Sequence, residues 1–404
     1  MEELSNIPKE FIEPIRLCLN LLENCSIYVY TKKICIWKRY AHLTQNVVSL
    51  VIYMIALTMY FGIVFRGDLK LDEIAYVVSV YVVSIQAILK AMVVVLKKNE
   101  IKAIILQLGS MWRTEDLTEV QINKKNALLK RLKFCYAVFY WINMIGSWQY
   151  ILAPLLETVF RKFILQQECE LLLPFCCSFP FDPTGNWARY IGVYIFETYS
   201  MFRIIFSYIG TEFLMIILCS HLATAFILLQ EDLLNIKPII NFRANSFVSL
   251  RVYNNLVYFL FYFCSLTQQL DDVFDKVIFI NLTSATISIC FFGLSAKVAH
   301  GALPMATNFA AVLCLILPLF NLCYYGEMLR EASAGMAESV YNNPWYRGDL
   351  RYQKLLWFII MRSQKPCCLT SMKYSPITLN TFTTVLSTTW SYFSLASSVY
   401  EDES

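Results

Sequence analysis

The sequence predicts an all-α membrane protein with seven transmembrane helices, its N-terminus cytoplasmic, its C-terminus extracellular, and a helical bundle on the cytoplasmic side. Three observations predict this fold. Of 404 residues, 57% are hydrophobic and only 16% charged, where soluble domains carry about 25% charged residues. Seven stretches are long and apolar enough to cross a hydrocarbon layer about 30 Å thick. The Lys and Arg residues also collect on alternate connections between those stretches, as the positive-inside rule requires.

The elements follow in order. Residues 1–42 begin acidic, lack the basic and apolar segments of a signal peptide, and are expected to stay cytoplasmic. The first span, 43–65, has no charged residue, and the second, 74–96, has only Lys90, placed where it can snorkel to the cytoplasmic interface. The third, 134–156, is uncharged. The connection 157–190 is external and holds Cys169, Cys176 and Cys177, so Cys169 could pair with either of the others. The fourth span, 191–219, carries Glu197, Arg203 and Glu212, each expensive against lipid. Their spacing gives no same-helix pair, so partners are expected from other spans. Spans five, six and seven occupy 277–296, 301–326 and 374–400, again without charge.

Residues 252–270 are also uncharged and would make an eighth span. With seven, 25 Lys and Arg lie inside and 6 outside; with eight, the division is 19 to 13. Seven is the better count. No Pro lies between Pro238 and Pro304 and no Gly between Gly210 and Gly293, so a helix is expected to run unbroken from the cytoplasm into span five. The short apolar run 355–361 belongs with it in the cytoplasmic bundle. This topology is opposite to that of G-protein-coupled receptors.

Other chemistries have no visible home. His42, His221 and His300 are far apart and in no metal-binding spacing, so no metal and no cofactor is expected. No basic stripe with interleaved aromatics points to nucleic acid. No ionisable groups converge near one membrane face as an enzyme would need, and internal repeats or broken helices that would favour a transporter are absent. Membrane lipid is the expected surrounding.

The last span differs from the others, because 12 of residues 374–400 are Ser or Thr. Such a helix either bonds its hydroxyls back to its own backbone among neighbours or lines water. Thr384, Thr388, Ser391, Leu395 and Ser398 share one face at helical spacing. In that wall Leu395, with Val399 one turn on, would form a hydrophobic constriction that gates by dewetting. One helix cannot enclose a pore, so an oligomer is expected.

The runs Cys323-Tyr324-Tyr325-Gly326-Glu327, Tyr341-Asn342-Asn343-Pro344-Trp345, Met361-Arg362-Ser363-Gln364-Lys365-Pro366 and Thr381-Phe382-Thr383-Thr384-Val385-Leu386, with Ser391-Tyr392-Phe393, resemble the insect odorant receptor family in the C-terminal third. The resemblance implies a multi-pass subunit of a tetrameric, odorant-gated, non-selective cation channel in the plasma membrane of a sensory neuron dendrite. Its partners would be a co-receptor subunit, a small volatile organic ligand and permeating cations. The co-receptor has a large insertion before span five, whereas here only residues 220–276 lie there, so the chain resembles an odorant-binding member. Leu395 and Val399 take the place of the family's hydrophobic gate, and Ser398 a place that is more amide-like in the co-receptor.

The resemblance also implies four parts: a cytoplasmic segment 1–42, spans one to six with the pocket and long cytoplasmic helices over 43–326, an anchor segment 327–373, and pore helix seven with an extracellular end over 374–404. The family's pocket lies in the outer half of the membrane among spans two to six. Placing each span by its direction selects Val78, Tyr81 and Val82 from span two, Met144, Ser147, Trp148 and Ile151 from span three, and Tyr199 and Phe202 from span four. Trp148 is favoured because a buried indole N–H needs an acceptor, which a ligand carbonyl could supply. The rival readings are a gustatory-type ligand-gated channel of the same superfamily, disfavoured by the Ser391-Tyr392-Phe393 ending, and a membrane transporter.

Overall fold

The computed structural model describes residues 7–30, 36–64, 71–164, 171–175, 177–236, 246–299 and 301–403. These residues form α1 (Lys9–Asn24), α2 (Ile36–Val64), α3 (Leu71–Leu96), α4 (Lys98–Ser110), α5 (Glu119–Val159), α6 (Trp187–Asn235), α7 (Ser246–Val298), α8 (Ala302–Asn342), α9 (Leu350–Ser363) and α10 (Leu379–Glu403), with one two-stranded hairpin before α10. The seven expected spans fall one each in α2, α3, α5, α6, α7, α8 and α10. Stretches of α2, α3, α6, α7 and α8 are long and apolar enough to cross a membrane on hydropathy alone. Within the spans of α5 and α10, polar residues lower that measure, Asn143, Ser147 and Gln149 in α5 and the Ser and Thr residues in α10.

The uncharged residues 252–270 lie in α7, a single helix of 53 residues. A chain that recrosses a membrane needs a turn, and no turn interrupts this helix. Part of the aromatic run packs on protein: Phe263 is buried and meets Phe226 of α6 edge-on at 5.7 Å, while Tyr258 and Phe261 are exposed.

Beyond the spans, the long helices continue into one bundle. Helix α1 is amphipathic, burying Phe11, Ile15, Cys18 and Leu22 against α6. Gly210 of α6 admits it, because a Cβ there would stand 2.9 Å from the Leu22 side chain. Helix α5 starts at a capping box in which Thr118 accepts from the Gln121 backbone N–H and the Gln121 side chain accepts in return. Lys125 of α5 reaches Glu10 of α1 at 2.6 Å. Asn343, just past α8, donates to the Leu233 and Ile236 carbonyls at 2.9 and 2.8 Å, satisfying the end of α6. Its own Oδ1 accepts from the Tyr352 hydroxyl of α9 at 2.8 Å.

The helix of the seventh span, α10, begins at Leu379, five residues after the expected start. Thr370–Ser371 pairs antiparallel with Ser375–Pro376, and Met372 and Lys373 turn the chain at positive φ. Pro376 has no N–H to donate and ends the strand. The hairpin docks on α7, where Lys373 reaches Asp271 at 2.7 Å and Asp272 at 2.6 Å, and the Thr370 N–H donates to Asp271 at 2.6 Å.

Gly326 of α8 sits against the same segment. A Cβ there would lie 2.8 Å from the Ile377 carbonyl oxygen, closer than real contacts allow. Gly326→Ala is therefore expected to push residues 375–378 off α8, costing about 1–3 kcal/mol as overpacking does. Thermal unfolding of the purified protein should show a lowered midpoint; an unchanged midpoint would mean that the hairpin moves freely.

Candidate functional site

A cavity of about 140 Å³ lies among α2, α3, α5, α6, α7 and α8. Aromatic rings form its walls: Tyr53 from α2, Tyr150 from α5, Phe175 from the connection before α6, Tyr208 from α6 and Phe292 from α7. Small side chains make its space, namely Ser84, Gly146, Ser147 and Ala311, and aliphatic ones close the remainder, including Val80, Val83, Ile204, Ile205 and Leu315. Gly146 brings α5 close to α8, since a Cβ there would meet Cys314 Sγ at 3.1 Å. Such a chamber suits a small, mostly apolar molecule with few polar groups to orient it.

A charged network lies beside this chamber. Lys90 of α3 and Glu212 of α6 form an ion pair at 2.7 Å with both side chains at most 2% exposed. Asn281 of α7 donates to both Glu212 oxygens at 3.0 Å and accepts from Gln86 of α3 at 2.8 Å. The Lys90 ammonium also stands 4.2 Å from the centre of the Tyr208 ring, a wall of the cavity. Lys90 thus points inward to a carboxylate, correcting the expectation that it snorkels: a partnered ammonium costs far less in the interior than an isolated one.

The other two charges of the fourth span find their partners in the connection before α6 and on α6 itself, correcting the expectation that these would come from other spans. Glu197 is buried and accepts from the Phe175 backbone N–H at 3.2 Å. Arg203 donates to the Tyr199 hydroxyl at 2.9 Å. Cys177 is buried close to Glu197, while Cys169 and Cys176 lie outside the described residues.

Of the residues expected at the pocket, Ser147 lines the cavity. Val78, Val82 and Met144 are half-buried and outside its lining. Tyr81 stacks on Phe61 of α2 at 5.0 Å. Trp148 is 47% exposed and meets Phe202 edge-on at 5.3 Å, on the far side of α5 from the cavity. Ile151 is buried but gives its carbonyl to the Tyr194 hydroxyl. Tyr199 turns toward α2, donating to Asn46 Oδ1 at 2.7 Å. Span direction fixed the level of these residues but not the rotation of each helix, and one residue turns a helix by about 100°. On α5 the lining residues Asn143, Gly146, Ser147 and Tyr150 lie one position before the expected set.

A signal for that rotation was present. Trp141, Ile145, Trp148, Leu152 and Leu156 recur at spacings of three and four and are all exposed, as a lipid-facing stripe would be. The small polar residues Asn143, Gly146 and Ser147 lie off that stripe. Tyr53 comes from span one, outside the spans two to six expected to form the pocket, whereas Phe292, Ala311 and Cys314 come from spans five and six, on which no residue was selected.

On α10, Thr384, Thr388, Ser391, Leu395 and Ser398 are all exposed, Leu395 at 64%. Their hydroxyls bond back along the helix: Thr384 to Asn380, Thr388 to Thr384, Ser391 to Ser387 and Ser398 to Leu395, all at 2.8–3.0 Å. The face therefore shows satisfied hydroxyls around one apolar side chain. The Val399 side chain lies outside the described residues.

The profile described as "7tm Odorant receptor" matches residues 70–390 of this chain. The chain belongs to that family. Among curated proteins of Drosophila melanogaster, Odorant receptor 13a is 25% identical over 269 residues, 63% of each chain. Odorant receptor 85c is 22% identical over 384 residues, 94% of this chain and 96% of that one. The match to Odorant receptor 13a thus spans less than two thirds of its length. Among solved structures, the olfactory receptor OR5 of Machilis hrabei in complex with eugenol superposes with a TM-score of 0.79 over 97% of this chain and 98% of that one, at 13% identity. The odorant receptor fold is therefore the fold of this chain, an all-α, seven-transmembrane, multi-pass membrane protein. Its relatives are receptors and not enzymes.

Proposed function

We propose that this odorant receptor is the odorant-binding subunit of a ligand-gated, non-selective cation channel. The observation that carries the reading is the exposed face of α10, whose hydroxyls and Leu395 have no protein over them in a single chain. Several copies of such a helix around one axis would enclose a wet pore with Leu395 as its constriction and Val399 beside it. The assembly would be a tetramer with a co-receptor, in the dendritic plasma membrane of a sensory neuron, with the N-terminus inside. The division of Lys and Arg supports that orientation.

The odorant would bind in the cavity bounded by Ser147, Tyr150 and Tyr208, and a volatile ligand in this fold has a precedent in the eugenol complex of OR5. For the ligand to open the pore it must prefer the open arrangement of these helices to the closed one. Cells expressing the chain with a co-receptor should carry an inward cation current when exposed to a volatile of matching size. Surface-delivered chain that stays silent across a broad volatile panel would rule the reading out.

A further inference from the structure

Resting on the reading of the cavity as the odorant site, we infer that Tyr150 selects for ligands carrying a hydrogen-bond acceptor oxygen on a body about the size of one ring. The Tyr150 hydroxyl is buried, and no acceptor among the described residues reaches it. Three other polar groups in the cavity wall are committed elsewhere. The Asn143 amide donates to the Phe139 carbonyl at 2.9 Å, the Ser147 hydroxyl to the Asn143 carbonyl at 2.5 Å, and the Cys314 thiol to the Ile142 carbonyl at 3.7 Å. The Lys90 charge is matched by Glu212, so the wall offers no unpaired cation to an acid.

The phenol is held in place before any ligand arrives. Its ring lies near-parallel to Tyr76 with centroids 6.3 Å apart, and Tyr76 in turn meets Phe292 edge-on at 6.4 Å. A donor that is buried, oriented and unpaired is an incomplete hydrogen bond, and a ligand carbonyl, ester or ether oxygen would complete it. Size follows from volume: an apolar protein cavity of about 150 Å³ takes up a benzene molecule, and this one is about 140 Å³. The aromatic walls favour a flat body that can stack or meet them edge-on. The ligand class is thus a compact, uncharged volatile, one ring or its equivalent, with one acceptor oxygen.

Two pairs of near-isosteres test this: acetophenone against α-methylstyrene, and anisole against ethylbenzene. Each is applied to the full chain assembled with its co-receptor, and both direct binding to the purified complex and evoked current are read. The oxygen-bearing member should act at about ten- to a hundredfold lower concentration, the range an otherwise unmet buried donor commands. In Tyr150→Phe the advantage should fall to near parity through weaker binding of acetophenone and anisole, while the two hydrocarbons bind as before. Equal affinities within each pair in the natural chain, or an advantage that survives Tyr150→Phe, would overturn the inference. Failure of all four compounds to bind would remove the cavity reading beneath it, whereas selective binding without current would uphold the inference and count only against gating by this ligand.

Discussion

Glu212→Leu alone is expected to remove most of the folded protein, and Lys90→Met in the same chain is expected to bring much of it back. The Lys90–Glu212 pair is at most 2% exposed and 2.7 Å apart, between α3 and α6. Deleting the carboxylate strands an ammonium over the Tyr208 ring and leaves the Asn281 amide without its acceptor. Breaking a buried pair from one side costs about 3–5 kcal/mol, a large share of the roughly 5–15 kcal/mol that holds a folded domain together. Replacing both partners with apolar groups of similar volume removes the desolvation cost along with the attraction, and is often close to neutral. Lys90→Met by itself should be gentler than Glu212→Leu, because Asn281 continues to donate to both oxygens of the remaining carboxylate. Size-exclusion profiles of detergent-extracted, fluorescently tagged protein would rank the variants as natural chain, double, Lys90→Met, then Glu212→Leu. A Glu212→Leu profile equal to the natural one would show that water reaches the pair.

The same pair shows where sequence reasoning reached and where it stopped. Seven spans and the unbroken α7 were legible because they depend on local quantities, the length of an apolar run and the absence of Pro and Gly. Partners for Glu212 had to come from other spans, since Arg203 stands nine residues before it. Identifying Lys90 required the rotation of α3 against α6, which no single helix records. That also separates the expected pocket residues from the observed lining: Val78, Tyr81 and Val82 sit at nearly the right level on α3, yet Val80, Val83 and Ser84 face the cavity. The lipid-facing stripe on α5 carries the missing information, because the widest apolar side chains of a membrane helix face the solvent that tolerates them, and the cavity lies away from it. The start of α10 was misplaced for a different reason. Residues 374–378 are uncharged and read as span, but Pro376 and the docking of Lys373 on Asp271 and Asp272 make them part of a hairpin.

Leu395→Ser is expected to raise the current that flows without odorant, by about tenfold, and to shrink the further increase that odorant produces. Thr384, Thr388, Ser391 and Ser398 on the same face already bond to their own backbone, so each presents an oxygen to water without needing a protein partner. Leu395, 64% exposed, interrupts them with an apolar surface. In a pore, a ring that includes such side chains expels water when narrow, and the barrier falls when the side chain becomes polar. A Leu side chain moved between water and an apolar setting is worth about 1.5–3 kcal/mol, so removing even one such term from the closed pore favours the wetted state roughly tenfold or more. The serine hydroxyl can bond back to the Ser391 carbonyl as its neighbours do, so the helix itself should be undisturbed. Because Leu395 is on α10 and the cavity is enclosed by other helices, odorant binding to the purified complex should be unchanged. Unaltered basal current together with weakened odorant binding would place Leu395 in packing between subunits and take the gate away from this position.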